Sequence, residues 1–201
     1  ARAMQPGAPR AAAACLEDVG RAVRDALPVL AAAIRVMGSR QVRSRATLAG
    51  NLANASPVAD TVPVLMALGA RVRLEGPAGG REVSLDRFFR AYKDTERRPD
   101  EWITGVVIPR PGDAFVHFEK AGRRRELDIA AVNSCAMLRM DVSGRVVQAR
   151  IAFGGVAPTA VLSKAAGEAL AGRAFTAEAA REAGRAAAGD VSPIGDVRGG
   201  A

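Results

Sequence analysis

The amino-acid sequence predicts an α+β fold in two units. Helices and then strands extend to about residue 109, and a small antiparallel sheet with trailing helices follows. Three observations predict this fold. Apolar residues recur at helical spacing in the first part of the chain, runs that alternate apolar and polar residues come next, and two Ala-rich segments near the end each follow a Ser or Thr. The chain has 201 residues, 49% of them hydrophobic, which is enough to form a core.

The first helices are predicted from periodicity and punctuation. From Leu16 onward apolar residues recur at helical spacing, and Pro28 breaks or restarts the helix. The spacing continues to Gly38, a typical C-terminal stop. The run PVLMAL at residues 63–68 predicts a buried helix that begins at a proline and ends at Gly69.

Strands and a turn are predicted between residues 70 and 111. Residues 70–76 alternate apolar and charged side chains, the Gly-rich residues 76–81 form a turn, and residues 81–85 return as the second strand of a hairpin. A phosphate-binding glycine loop would open a helix, whereas this turn lies between strands. Asp86 is predicted to cap a short helix, and residues 101–111 form another strand.

The second unit is predicted from three further alternating runs and two helices. Ser143 and Gly144 join the second and third runs as a tight hairpin. The Ala-rich helices, each preceded by a capping hydroxyl, complete the unit. The runs are residues 114–122, 133–142 and 146–156, and the helices are residues 163–171 and 176–188.

Charge and composition exclude several functions. The formal net charge is +8, but the positive charge is mostly arginine spread along the chain. One Trp and one Tyr leave little for base stacking, so we predict no nucleic-acid partner and favour anionic small molecules. No apolar run approaches the roughly 20 residues that span a bilayer, which predicts a soluble, cytoplasmic protein without membrane insertion.

The cysteines and the single histidine predict no metal site. Cys15 and Cys135 are too few for an iron–sulphur cluster, and with His117 they do not make a zinc site. We predict both thiols to be buried small hydrophobes and His117 to be structural. Any redox chemistry must therefore come from an organic cofactor or a partner chain.

Residues 46–60, ATLAGNLANASPVAD, carry no charge before the last residue. Small residues let a ligand approach the backbone, and exposed N–H groups in such a loop accept anions. Thr47 and Asn51 add neutral donors, and Asp60 is suited to accept hydrogen bonds from sugar hydroxyls. The segment suits the diphosphate and polyol of a dinucleotide. A tight loop whose small residues serve packing fits the pattern equally well.

Residues 38–70 closely resemble the flavin domain of the xanthine dehydrogenase family. The family pattern is Gln-[Ile/Val]-Arg, Thr-Leu-Gly-Gly-Asn and Ala-Ser-Pro-x-x-Asp, and this chain has QVR, TLAGN and ASPVAD in that order. The chain is also similar to the medium subunit of carbon monoxide dehydrogenases. The resemblance extends from about Leu16 to the end, through residues 86–95, 98–111, 118–140, 151–161 and 192–201.

The resemblance implies a fold and a set of FAD-binding residues. Residues 16–111 would form the second FAD-binding subdomain of the PCMH type. Residues 112–201 would form a unit like the C-terminal domain of carbon monoxide dehydrogenase flavoproteins, after a disordered or truncated leader at residues 1–15. The residues that match the family's FAD contacts are Thr47, Leu48, Ala49, Gly50, Asn51, Ser56, Asp60, Ile103, Lys120 and Asp128.

The resemblance also implies a function and partners. The chain would bind FAD and pass electrons from iron–sulphur clusters to NAD or oxygen. A molybdopterin-binding large subunit and an iron–sulphur subunit or domain would be its partners, and no residue of this chain would be catalytic or bind a metal. A truncated remnant that keeps the fold without binding FAD, and a basic module that binds anions or nucleic acid, are the alternatives.

The chain departs from the family pattern at several positions. Ala49 replaces a glycine, which would cost on the order of 1 kcal/mol if the position required a positive φ. Met37 stands where a Phe often contacts the flavin, and Leu127 stands where some members carry an acid. Arg124 and Arg125 would shape the electrostatics beside the flavin. The family's first glycine-rich loop has no counterpart before Leu16, so we expect the chain alone to bind FAD weakly.

Overall fold

Five helices occupy the first part of the chain in the computed structural model, which describes residues 12–124 and 127–195. Pro28 occupies the first turn of the second helix, and Gly38 and Gly69 adopt φ values of +52° and +70° after the second and fifth helices. These observations confirm the predicted stops. The helices are α1 (Leu16–Ala22), α2 (Pro28–Arg35), α3 (Arg40–Arg43), α4 (Leu48–Ala53) and α5 (Thr61–Ala67).

A three-stranded antiparallel sheet follows α5, in the order β2-β1-β5. Gly79, the first residue of β2, directly follows the two-residue turn at a φ of +100°, a conformation that favours glycine. The role predicted for Asp86 is wrong, because Ser84 occupies the N-cap position of α6 and Asp86 lies inside the helix. The elements are β1 (Arg71–Gly76), β2 (Gly79–Ser84), α6 (Leu85–Phe88), β3 (Phe89–Ala91), β4 (Asp94–Thr95) and β5 (Trp102–Val107).

The second sheet has four antiparallel strands in sequential order, β6-β7-β8-β9. The three predicted runs form β6, β7 and β8, while the short strand β9 was not predicted. Ser163 and Thr176 cap the two following helices by accepting the N–H groups of Ala166 and Ala179, as expected. The elements are β6 (Phe115–Ala121), β7 (Val132–Met140), β8 (Val146–Gly154), β9 (Val161–Ser163), α7 (Lys164–Leu170) and α8 (Ala177–Ala187).

The second sheet is covered by helices on both faces. Cys135, Met137 and Ala152 belong to the same buried cluster as α5, while Leu138 and Val146 pack with α7 and α8. All seven residues of α5 are buried. Because the larger cluster also includes Leu16 and Leu74, it holds side chains from both predicted units. The boundary at residues 111/112 stays a prediction.

Further findings concern membrane spans, metal ligands and the two cysteines. Among the described residues, no helix is long and apolar enough to cross a membrane, and no group of His, Cys, Asp and Glu side chains could hold a metal ion. Burial raises the pKa of the Cys135 thiol to about 12. Cys15 is only half-buried, contrary to expectation, and its thiol donates to Asp18.

A bidentate ion pair anchors β2 to the segment before β5. Arg81 donates to both carboxylate oxygens of Glu101 at 2.7 and 2.9 Å, and the Arg98 N–H adds a third hydrogen bond at 2.8 Å. The Arg81 hydrogen bonds and then that backbone N–H lower the pKa of Glu101 to about 2. The carboxylate is therefore ionised wherever the protein is folded at ordinary pH.

We expect Glu101→Gln to lower the Tm at pH 7. A lowered pKa contributes stability that is present above the unfolded-state value and is lost as the pH falls toward about 2. The deficit of the variant should therefore shrink below about pH 4.5, the ordinary value for Glu. Thermal unfolding between pH 2.5 and pH 7 tests this, with the exposed Glu168→Gln as control. A deficit independent of pH would contradict it.

Candidate functional site

Lys120 and Asp60 form a buried ion pair between the edge strand β6 and the start of α5. The Lys120 Nζ lies 2.7 Å from the Asp60 Oδ2, and the two side chains are 12% and 6% exposed. The same ammonium donates to the carbonyls of Val36 and Asp128, both at 2.9 Å. Because an ammonium has three donors, these acceptors satisfy it completely. Lys120 thus joins four segments of the chain.

Asp60 accepts a second hydrogen bond inside the protein. The Asn133 Nδ2 donates to its Oδ1 at 2.9 Å. Burial raises the pKa of Asp60 above its ordinary value, while the hydrogen bonds from Lys120 and Asn133 act in the opposite direction. Lys120, Asp60 and Asn133 thus form a buried polar cluster, in which Lys120 and Asn133 each donate a hydrogen bond to Asp60.

Asp128 belongs to the loop between β6 and β7 and organises that loop. Its carboxylate accepts the N–H groups of Arg124 at 2.7 Å and Ile129 at 3.1 Å, and these bonds lower its pKa, the Arg124 N–H most. The loop exposes Leu127, at a φ of +54°, and Ile129, which are 60% and 53% exposed. Arg125, to which we assigned an electrostatic role, lies outside the described residues.

The segment predicted as an anion-binding loop is the first turn of a helix. Thr47 is the N-cap of α4, and its Oγ1 accepts the Gly50 N–H at 2.9 Å. The expectation of a loop is therefore wrong at residues 48–51, although Gly50 remains exposed. Ala49 has no positive φ, so the replacement of the family's glycine causes no backbone strain.

A hydrogen bond connects α4 to α5 at the residue that follows Asp60. The Asn51 Oδ1 accepts the Thr61 Oγ1–H at 2.6 Å, and Thr61 directly follows Asp60. The Asn51 amide nitrogen has no hydrogen-bond partner within residues 12–124 and 127–195. The structure thus links Thr47, Gly50, Asn51, Asp60, Lys120 and Asp128 into one region.

The remaining predicted residues lie apart from this network. Leu48 and Ile103 are 2% and 9% exposed and belong to the larger core cluster, and Ala49 packs against that cluster. Ser56 is half-buried in the turn before α5, where its carbonyl accepts the Ala59 N–H. These residues shape the region through packing.

Asn133 is the residue that sequence analysis missed. It is 1% exposed on β7, on the same face as the buried Cys135 and Met137. In an alternating strand, residues two apart share a face, so Asn133 is a polar residue at an apolar position of the pattern. That mismatch is a sequence feature that would have marked it.

An open cleft of about 340 Å³ lies elsewhere, between α1 and α2. It contains none of the predicted site residues. Its arginines include Arg43, which already pairs with Glu17 at 3.0 Å and donates to the carbonyls of Met37 and Gly38. This cleft therefore does not coincide with the predicted site.

Comparison with known proteins identifies two family models along the chain. The model described as the FAD binding domain in molybdopterin dehydrogenase matches residues 10–111. The model described as the CO dehydrogenase flavoprotein C-terminal domain matches residues 117–201. The FAD-binding model therefore matches the first part of the chain, and the C-terminal model matches the second.

Similar proteins include much longer ones. The xanthine dehydrogenase/oxidase of Gallus gallus is 38% identical over 167 residues, which are 80% of this chain and 12% of that protein. The carbon monoxide dehydrogenase medium chain of Hydrogenophaga pseudoflava is 34% identical over 88% of this chain and 61% of its own length. The chain thus spans only part of these relatives.

Solved structures show the same fold. A structure of the carbon monoxide dehydrogenase from Hydrogenophaga pseudoflava matches with a TM-score of 0.89 and 34% identity, over 94% of this chain and 66% of that one. The quinoline 2-oxidoreductase from Pseudomonas putida 86 matches with a TM-score of 0.85 and 30% identity, over the same shares. The predicted α+β class is confirmed.

We expect Lys120→Met to destabilise the protein by about 3–5 kcal/mol, because it leaves the Asp60 carboxylate buried and unpaired. The double variant Lys120→Met with Asp60→Asn should recover part of this loss, since no buried charge remains. Denaturant unfolding at pH 7 measures both, with the exposed Lys164→Met as control. Equal losses in the three variants would show that the pair has no special role.

Proposed function

The chain belongs to the family of FAD-binding domains in molybdopterin dehydrogenases, and we propose that the region around α4 and the Lys120–Asp60 pair holds the FAD. The observation that carries this proposal is the network itself. Hydrogen bonds join residues from α4, α5, β6 and the loop after β6, and these are the segments to which the family resemblance assigns cofactor contacts. FAD, when bound, supplies the redox chemistry of such a domain.

The chemistry of the α4 segment fits a diphosphate. Residues 46–59 contain no acidic side chain, so nothing there repels an anion. Thr47 and Asn51 offer neutral polar groups, and the free donors of the Asn51 amide face no competing partner among the described residues. A methyl group at Gly50 would lie 3.0 Å from the Thr47 Oγ1, so a larger residue there would crowd the hydroxyl that caps the helix. These residues would hold the phosphates.

The buried polar cluster would act indirectly. All three donors of Lys120 are bound by protein acceptors, and Asp60 is 5% exposed. Their role in the proposed site is to hold the loop of Asp128 and the end of α2 in place. Ile103 and Leu48 support the same surface from the core, and Ser56 and Ala49 border it.

The proposal extends to electron transfer and partners. We propose that the domain passes electrons from iron–sulphur clusters to NAD or oxygen, in an assembly with a molybdopterin-binding subunit. The relatives that support this are named xanthine dehydrogenase and carbon monoxide dehydrogenase. We also propose the division into an FAD-binding subdomain at residues 16–111 and a C-terminal unit at residues 112–201.

We expect Asn51→Asp to weaken FAD binding at least tenfold, because it replaces the amide donors with a negative charge while keeping an acceptor for Thr61. Binding of riboflavin, which lacks phosphate, should change little. Flavin fluorescence titration at pH 7.5 measures both affinities, and Asn54→Asp, on the exposed C-cap of α4, is the control.

Two results of this titration would contradict the proposal. A wild-type chain that binds no FAD, and gains no thermal stability from it, would favour a remnant that keeps only the fold. If Asn51→Asp and the control bind FAD with equal affinity, the proposal that α4 holds the diphosphate is wrong.

The position of Arg124, in the loop between β6 and β7, supports NAD as the acceptor. Arg124 is exposed beside Asp128, and its positive charge would attract an anionic nucleotide. We expect Arg124→Ala to slow the loss of flavin absorbance by NADH several-fold at low salt, with little effect at high salt. Anaerobic stopped-flow mixing tests this, with Arg181→Ala on α8 as control. Reduced flavin that is reoxidised by oxygen and does not exchange electrons with the nicotinamide nucleotide would indicate oxygen as the acceptor.

A further inference from the structure

The side-chain amide of Asn133 has a defined orientation inside the buried cluster. Its Nδ2 donates to the Asp60 Oδ1 at 2.9 Å and lies 3.4 Å from the Val58 carbonyl oxygen. The reverse orientation would place the amide oxygen against two acceptors, which excludes it. The Oδ1 is buried and has no hydrogen-bond partner in the described parts of the chain. The Asn133 amide therefore uses its N–H donors, while its carbonyl oxygen stays buried without a hydrogen bond from the described residues.

Gly154 provides the space for this amide. It is paired with Asn133 across β7 and β8. A Cβ on Gly154 would lie 2.3 Å from the Asn133 Oδ1 and 2.9 Å from the carbonyl oxygen of Pro57. Real Cβ atoms do not approach so closely, so any larger residue would displace the amide or the turn before α5.

We propose that Asn133 is a positioning residue that holds the Asp60 carboxylate toward Lys120, and that Gly154 is required for it to do so. This inference rests on the proposed function, because Asp60 and Lys120 belong to the proposed FAD region. Asn133 acts on that region through Asp60, which in turn fixes Lys120 and the loop of Asp128.

Few charged groups lie near Asp60 in the described part of the chain, so its titration can test the role of Asn133. Among the described residues, Lys120 is the charged side chain in contact with it. Asp128 contributes its backbone carbonyl to Lys120, and its carboxylate is directed to backbone N–H groups of its own loop. Arg150 of β8 is directed to the carbonyls of Met66 and Ala67, in the C-terminal part of α5. The donors of Asn133 therefore act on a single carboxylate.

The test is the pH dependence of unfolding of Asn133→Leu, which keeps the volume and removes the donors. A raised folded-state pKa contributes stability below the unfolded value that is lost as the pH rises through the folded value. Loss of the donors raises the pKa of Asp60 further. The Tm deficit of the variant should therefore be largest at pH 8, about 5 °C, and should shrink toward pH 4.

Three companion variants separate positioning from packing. In an Asp60→Asn background, the deficit of Asn133→Leu should lose its pH dependence, because no carboxylate remains. Gly154→Ala should reproduce the pH-dependent deficit, whereas Gly80→Ala, on strand β2 with ordinary space for a methyl group, should not. A deficit that is equal from pH 4 to pH 8, or that persists unchanged in the Asp60→Asn background, overturns the proposal.

A second measurement connects the result to the cofactor. At pH 7.5, Asn133→Leu and Gly154→Ala should each weaken FAD binding about tenfold relative to the wild-type chain. Full FAD affinity in these variants would overturn the positioning role. Because the unfolding experiment uses the chain without FAD, its failure is distinguishable from a wild-type chain that binds no FAD, which would refute the proposed function alone.

Discussion

The burial of one ion pair constrains the rest of this structure. Removing the Asp60 carboxylate and the Lys120 ammonium from water costs several kcal/mol per ion, and their mutual attraction offsets this only when every remaining donor and acceptor is satisfied. The structure meets that condition with groups from distant segments, namely the Val36 and Asp128 carbonyls and the Asn133 amide. The end of α2, the start of α5, and strands β6 and β7 must therefore all be in place before the pair is fully hydrogen-bonded.

The absence of charged residues from α4 is consistent with the same condition. Asn51 contacts Thr61 immediately beside the buried carboxylate, so a charge at position 51 would interact with the pair at short range. A segment without charges leaves the field around Asp60 to Lys120. It also leaves a surface that an anion can approach. One composition thus serves the stability of the cluster and the proposed binding of phosphates.

Periodicity and caps predicted most of the fold, because these depend on neighbouring residues. Gly38, Gly69, Ser163 and Thr176 lie where helices were expected to end or begin. The helix at residues 48–53 was not predicted, since Gly50 and Asn51 are poor helix formers. Its stability comes from the Thr47 cap and from the burial of Leu48 and Leu52. Tertiary contacts of this kind cannot be read from local propensity.

The assignment of the site residues to FAD stays a prediction, and the sequence did not predict how these residues are arranged. Family resemblance identified Asp60 and Lys120 separately, and nothing in their spacing of sixty positions shows that they form a pair. Asn133 was missed because a lone Asn in a strand has many explanations, and its role depends on the partner strand that carries Gly154. A methyl group at that glycine would disturb the carboxylate through the amide. In the proposed site, substitutions at Asn133 or Gly154 would therefore alter FAD affinity through Asp60 and without contact to the cofactor.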